Sequence, residues 1–301
     1  MRLTCDHVRV RVPATTANLG PGFDSLGLAL DIWDEIEARA VMGPSKVVVE
    51  GEGATTVPLD DTHLVVRAAR YALEAVGAPE IGFDLLCHNR IRHSQGLGSS
   101  ASAVVAGALI VRGMIADPTA LNAREVFEIA TAFEGHPDNA APAVFGRGTI
   151  GWLNGQVARC TRFDVHPEVR LLVALPTNTV STKVARAVLT ERVDRQDAVF
   201  NLARSALAVH ALTAEPALLF EATEDRLHQE QRREVMPQTL DLIDQLRSQR
   251  IAAVVSGAGP GVLIMSVLPP AELRSLIPPQ WQVLSPAVAT HGGVVARLTE
   301  P

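Results

Sequence analysis

Lysine is nearly absent from this chain of 301 residues: Lys46 and Lys183 are the only two among 27 cationic side chains, so any lysine-dependent chemistry has two candidates. Cysteine is scarce as well. Cys5, Cys87 and Cys160 are odd in number and far apart, form no CxxC pair and lack zinc spacing, which points to reduced thiols in the cytosol. The best apolar run, Ala101 to Ile110, meets Arg112 well short of the ~20 residues a membrane span needs. Met1 to His7 contain no apolar signal core. An excess of positive charge is also missing. The formal net charge of −6 argues against broad binding to nucleic acid or anionic lipid, while leaving room for a local basic pocket. Neither an internal repeat nor a low-complexity linker interrupts the chain. What is present is a globular composition, 47% hydrophobic and 20% charged, over a length that suggests about two domains. The expectation is a cytoplasmic enzyme with no membrane or nucleic-acid partner.

Periodicity organises the chain. Val8, Val10 and Val12 alternate with Arg9 and Arg11, as in a half-buried strand, and residues 26–30 and 32–38 continue in strand style after a loop rich in Asn, Gly and Pro. Lys46 to Glu50 is a further short strand. Leu64, Val65, Ala68, Ala69, Ala72, Leu73 and Val76 follow helical spacing, and Gly77 stops that helix. Residues 83–87 predict a strand, followed by a Gly/Ser loop and helices from about Ser100 and over about Ala123 to Phe133. Strands over 146–161 close the first half. The second half offers a strand at 170–175, three helical stretches between Thr182 and His228, a helix ending on Arg232, and one from Pro237 to about Ser248. Strands at 251–255 and 262–267, a short helix from Pro270 and terminal strands at 281–284 and 294–298 complete it. The irregular alternation fits an α+β fold of two domains, 1–165 and 166–301, better than a doubly wound sheet.

The strongest chemical signal is Ser94-Gln95-Gly96-Leu97-Gly98-Ser99-Ser100-Ala101-Ser102. Two glycines allow a tight turn and close approach to a bulky anion, and the serines open a helix whose outward N–H groups suit phosphate. The loop lacks the lysine of a Walker A site. Read alone, it could equally be an N-cap before a close-packed helix. Between the first strands, Asn18 and Asp24 stand among Gly and Pro in a loop able to hold an amine or hydroxyl, or to form an Asx-turn hairpin. Glu134-Gly135-His136-Pro137-Asp138-Asn139 gathers four polar side chains: Glu134 could bind a hard cation and Asp138 could accept a proton or orient a hydroxyl. Its plainer alternative is a solvated helix end. Thr182 and Arg186 share one helical face, and Arg186 with Arg232 offers two guanidinium groups for a carboxylate. Ser256-Gly257-Ala258-Gly259-Pro260-Gly261 is either a Gly-rich hairpin or backbone lying close beside the phosphate loop.

Taken in this order, the Asn18–Gly27 loop, Gly96-Leu97-Gly98-Ser99-Ser100 and Ser256-Gly257-Ala258-Gly259-Pro260 resemble the GHMP kinase superfamily over almost the whole chain. Within it, residues 18–27, 134–139 and 181–186, with His228 and Arg232, are most similar to members that phosphorylate L-homoserine. The resemblance implies an N-terminal ATP-binding α+β domain, a C-terminal ferredoxin-like α+β domain, an active site between them, and often a homodimer. It implies ATP and Mg2+ as cofactors and O-phospho-L-homoserine for threonine synthesis as product. As ATP-binding residues it implies Arg92, His93, Ser94, Gln95, Gly96, Leu97, Gly98, Ser99, Ser100, Ala101 and Ser102, with Gly257 and Gly259. Ser100 and Glu134 become the magnesium ligands, and Asn18, Asp24, His136, Asp138 and Asn139 the substrate contacts. Arg186 and Arg232 become the carboxylate clamp, and Asp138, Asn139 and Thr182 the catalytic group. Two positions depart from the pattern: Arg92 stands where the family usually has Pro, and His63 where it commonly has Asn near the adenine. A kinase of mevalonate-like or sugar substrates, and a nucleotide-binding regulator without catalysis, are the competing readings.

Overall fold

The computed structural model describes residues 1–298. Its first half is built on a sheet of β1 (His7–Ala17), β2 (Leu26–Val41), β3 (Lys46–Gly51), β4 (Gly82–Asn89), β5 (Gly148–Asn154) and β6 (Val157–Phe163). Strands β1, β2 and β4 pair antiparallel; β3 joins β4 in parallel through the crossover helix α1 (Leu64–Ala75). Against this sheet pack α2 (Ser99–Met114), α3 (Ala123–Glu134) and α4 (Pro137–Phe145). Val8, Val10 and Val12 enter the same apolar core as Val65, Ala69, Val105, Leu109 and Phe127, whereas Arg9 is exposed.

The two strands expected at 26–30 and 32–38 are one strand with a bulge. Pro13 faces Trp33 and Ala14 faces Leu30, so Asp31 and Ile32 lie between paired positions. Beyond the bulge the strand changes company: Ile36 and Ala38 belong to the first core, Leu26, Leu28 and Leu30 to a second that includes residues of the other half.

That half carries β7 (Arg170–Leu175), α5 (Thr182–Ala187), α6 (Arg195–Thr213), α7 (Leu219–Ala222), α8 (Pro237–Ser248), β8 (Ala252–Val255), β9 (Val262–Ser266), α9 (Pro270–Ser275) and β10 (Gln282–Leu284). Its sheet runs β10-β7-β9-β8, all antiparallel. Side chains alternate across it. Leu171, Val173 and Leu263 face Leu28 and Leu30 in the interface with the first half, while Leu172, Ala174 and Ile264 meet Leu240, Ile243 and Leu246 of α8. The last strand, β11 (Val294–Arg297), returns to the first sheet and pairs with β1.

One expected helix is absent. Residues 223–229 form no helix, with bends at 226–229, and a single 3-10 turn follows at Glu230–Arg232. Asp225 explains the difference: its carboxylate accepts the backbone N–H groups of Leu227, His228 and Gln229 and so competes with helical bonding. All three cysteines are free thiols. Among the described residues, no helix is long and apolar enough to cross a membrane.

Candidate active site

The loop before α2 is a left-handed turn pressed between two other segments. Ser94, Gly96 and Gly98 have φ of 54°, 78° and 65°. A Cβ on Gly96 would lie 2.0 Å from the Ser256 carbonyl oxygen, and one on Gly98 1.9 Å from Thr15 Oγ1. Only glycine allows this closeness. The contacts are bonded: Thr15 N–H donates to Leu97 O at 3.0 Å and Ser256 Oγ–H to Gly96 O at 2.6 Å. The glycine turn at 256–261 therefore does lie beside the loop. Gly98 is the N-cap of α2, and no side chain caps it. The first-turn amides are left to the cavity that Gly98, Ser99 and Ser100 line, with the partial positive charge of a helix start behind them.

Across the cavity, α3 ends at Glu134, Gly135 turns the chain at φ 82°, and α4 starts at Pro137. Ser100 Oγ–H donates to Glu134 Oε1 at 2.5 Å. Burial raises the Glu134 pKa, although the Ser100 bond and the positive charge near it pull the other way. This is not a solvated helix end, since Asp138 is 1% and Asn139 9% exposed. Asp138 Oδ1 accepts the Asn139 N–H at 2.9 Å and bonds the His136 ring; Asn139 Oδ1 accepts from Thr15 Oγ1 at 2.8 Å. Burial of His136 disfavours its charge, but the Asp138 bond and charge prevail and raise its pKa. Pro142 has no N–H to return to the Asp138 carbonyl, and that oxygen abuts Gly27, where a Cβ would lie 2.0 Å away.

The third wall joins the two halves. Arg186 on α5 forms a fork with Asp24, Nη2 to Oδ1 at 2.5 Å and Nη1 to Oδ2 at 3.2 Å. Burial lowers and the Asp24 bond raises the Arg186 pKa, with a net rise. Arg232 is fully buried, and burial followed by the nearby Arg186 charge pushes it down to about 10. Both guanidinium carbons lie over the Phe23 ring, at 5.5 and 5.8 Å from its centroid. Asn18, left-handed at φ 71°, is engaged at both ends: Nδ2 donates to Gly257 O at 2.8 Å and Oδ1 accepts from the Asp24 N–H at 2.9 Å. Asp24, His136 and Asp138 offer ligand atoms within 4.8 Å of one another.

One cavity of about 120 Å³ thus collects Asn18, Ser94, Gly96, Leu97, Gly98, Ser99, Ser100, Glu134, His136, Asp138, Asn139, Thr182, Arg186, Arg232, Gly257 and Gly259. Asp24 is joined to it through Arg186. Several residues of the expected set stand elsewhere. Gln95 is buried with Nε2 on Pro176 O, and Ala101 has no exposure. Ser102 donates to Pro13 O. Arg92, partly exposed, pairs with Glu52 at 3.0 Å and with Gln282 at 2.8 Å.

A neighbouring, more apolar cavity of about 220 Å³ shares Ser94, Ser99 and Ser100. Its walls include Val12, Ile36, Val57, Leu64, Cys87, Asp34, His63, His93 and Ser102. Burial lowers both histidine pKa values. It pushes Asp34 up to about 6 against two backbone N–H bonds, and Cys87 up to about 12. His63 is the N-cap of α1, accepting from the Val65 N–H at 3.3 Å. Phe23, Thr15 and Asp34 escape sequence reasoning, whereas His93, expected at the nucleotide, lines this second cavity. Phe23 stands in plain view beside Asp24, but no local pattern marks a ring as the floor of two arginines from elsewhere.

Residues 63–147 match the model for the N-terminal domain of GHMP kinases. The homoserine kinase of Clavibacter michiganensis is 46% identical over 98% of this chain and 95% of its own. That of Rhodococcus erythropolis is 48% identical over 88% of each. Among solved structures, homoserine kinase from Cytophaga hutchinsonii superposes with a TM-score of 0.81 at 22% identity, covering 97% of this chain and 98% of that one. The mevalonate kinase of L. major in complex with R-mevalonate gives 0.68 at 14% identity, covering 92% and 94%. These two share the fold.

Proposed function

The chain belongs to the homoserine kinases of the GHMP kinase family, and from that membership we infer that it transfers the γ-phosphoryl group of ATP to the side-chain hydroxyl of L-homoserine. The product is O-phospho-L-homoserine for threonine synthesis. One observation carries the reading: a single cavity is lined by the uncapped N-terminus of α2, by Arg186 and Arg232, and by Asp138. Amides suit a polyphosphate, guanidinium groups a carboxylate, and a carboxylate a hydroxyl. The apolar second cavity, contiguous through Ser94, Ser99 and Ser100, supports a place for the base, with His63 and His93 on its wall.

In the proposed mechanism the α2 amides and the Ser99 and Ser100 hydroxyls hold the triphosphate, and phosphoryl transfer asks mainly for positioning and charge neutralisation. Ser100 and Glu134 fit Mg2+, being two oxygen donors 2.5 Å apart. When bound there, the ion would neutralise charge on the phosphoryl oxygens. Asp24, together with the His136–Asp138 pair, supports the ammonium group, and Arg186 and Arg232 support the carboxylate. Asp138 and Asn139 aim the hydroxyl, with Thr182 close to the transferred group; Asp138 takes the proton. The Arg92 ion pair with Glu52 supports a place for that side chain beside the phosphate loop rather than on the triphosphate.

The division at residues 165 and 166 is supported by the two sheets, with β11 crossing back. Free thiols support a cytoplasmic setting. A homodimer belongs to the same proposal, supported by Val199 and Leu202, exposed at 59% and 71% on α6; light scattering reads it. The central test is ADP release with L-homoserine, D-homoserine, L-serine, L-threonine and mevalonate, with and without Mg2+. L-homoserine should be preferred and Mg2+ required. Preference for mevalonate, or nucleotide binding with no turnover of any acceptor, would overturn the proposal.

A further inference from the structure

Arg232 is the deepest cation of the site, and two tethers fix it. Its Nε–H donates to Ala185 O at 3.1 Å, and Nη1 lies 2.7 Å from His228 Nδ1. These leave Nη2 for the cavity that Arg232 lines. His228 is itself buried at 1% exposure, and its Nε2 stands 2.7 Å from the Gly20 carbonyl oxygen. Chemistry then settles the ring. A carbonyl oxygen only accepts, so Nε2 carries the proton; a guanidinium only donates, so Nδ1 is a bare lone pair. Two partners from distant segments therefore lock one neutral tautomer. Burial and the Arg232 charge both work against protonating the ring, with Asp225 opposing them, and the net shift is downward.

Asp225 does not displace this arrangement. Its nearest oxygen is 3.7 Å from His228 Nε2, beyond hydrogen-bond reach, and its oxygens already accept from Asn201 and three backbone N–H groups. Asp225 holds the turn; the turn delivers the ring. The ring also stacks on Phe23, centroids 4.8 Å apart, and Phe23 underlies both arginines.

We propose that His228 is a positioning residue that acts through Arg232, its bare Nδ1 aiming the guanidinium so that Nη2 meets the carboxylate of the amino-acid substrate. This rests on the reading that Arg232 binds that carboxylate, and it assigns the residue that makes the arginine competent. A simple basic patch needs no such partner. Here a buried neutral acceptor is what keeps a desolvated arginine in one pose.

The test uses two variants and two acceptors. In His228→Gln the amide sits near Nε2 and no longer reaches Arg232; in His228→Asn the side-chain oxygen stands near the Nδ1 position. His228→Gln should raise KM for L-homoserine about tenfold or more, with kcat and KM for ATP within about twofold of the parent. His228→Asn should restore most of the loss. Phosphorylation of 3-aminopropan-1-ol, which is homoserine without its carboxylate, should be the same in all three proteins. Equal losses on both acceptors, or Asn no better than Gln, would make the role purely structural and overturn the proposal. Arg232→Gln separates the two ideas: no change in KM for homoserine removes the carboxylate reading itself, whereas a loss there with a silent His228→Gln removes only the role of His228. Nitrogen NMR of histidine-labelled native enzyme is independent of variant folding. The His228 ring should be Nε2-protonated and neutral; an Nδ1-protonated or charged ring would overturn the proposal.

Discussion

Arg186 and Asp24, 162 residues apart in sequence, face each other as a two-pronged ion pair across the mouth of the cavity. Each is about one-third exposed, so the pair is neither sealed nor freely solvated. An amino acid carries the same two charges on one carbon. Its ammonium can take the place of Arg186 at Asp24 while its carboxylate takes the place of Asp24 at Arg186, and no charge is left alone. On this account Asp24→Asn raises KM for L-homoserine by about tenfold to a hundredfold, the worth of a hydrogen bond to a charged group, and leaves KM for ATP in place. Steady-state kinetics with each substrate varied in turn checks it; an equal rise in both constants would point to a disturbed fold.

Asp138 is held on one oxygen by His136 and by the Asn139 amide, with the residue buried in the first turn of α4. If it takes the hydroxyl proton, Asp138→Asn lowers kcat by ~10²–10⁴. A loss below about tenfold removes the base role and leaves orientation alone. Asn can still accept from the Asn139 amide, so thermal melting should change little.

Glu134 is the metal ligand of the proposal, and burial holds its pKa above the ordinary 4.5. The sign of the pH dependence follows. Above 4.5 the folded protein binds the proton more readily than the unfolded chain, so without metal this group makes stability fall as pH rises through the raised value. Glu134→Gln removes that burden. At pH 7 to 8 and without metal the variant should melt at or above the parent, with the difference shrinking toward 4.5. Adding Mg2+ to the protein already saturated with nucleotide should raise the melting temperature of the parent further and leave that of the variant nearly unmoved. A parent indifferent to Mg2+ would remove Glu134 and Ser100 from the metal site.

Gly96 has its α-carbon turned toward the Ser256 carbonyl in a left-handed conformation. Gly96→Ala puts a methyl where backbone already lies, and backbone cannot swing aside as a side-chain tip can. A loss of about 2–4 kcal/mol in denaturant unfolding is expected, together with weaker nucleotide binding. Gly77→Ala serves as the control: its φ of 60° carries the conformational strain, but nothing stands within 4 Å of a Cβ there. It should cost stability without affecting nucleotide binding.

The elements were legible in the chain where the signal was local. The Val8–Val12 alternation, the helical spacing of Leu64 to Val76 and the break at Glu134–Pro137 each encode a backbone state within a few residues. The glycines and serines of residues 94–102 likewise carry their chemistry in their own order. Where a side chain could be satisfied either locally or at a distance, local reasoning failed. Asp225 unwound an expected helix by taking its amides.

What the sequence by itself determined is which chemical groups exist and which short segments turn, extend or coil, because periodicity and backbone preference act over a few bonds. Only the tertiary structure decided who meets whom: Asn18 with the Gly257 carbonyl, Phe23 beneath two arginines from the other half, and His228 made neutral between Gly20 and Arg232. A buried donor must find an acceptor, but the chain does not name which of many distant carbonyls will stand there. Packing the two sheets against a shared core makes that choice.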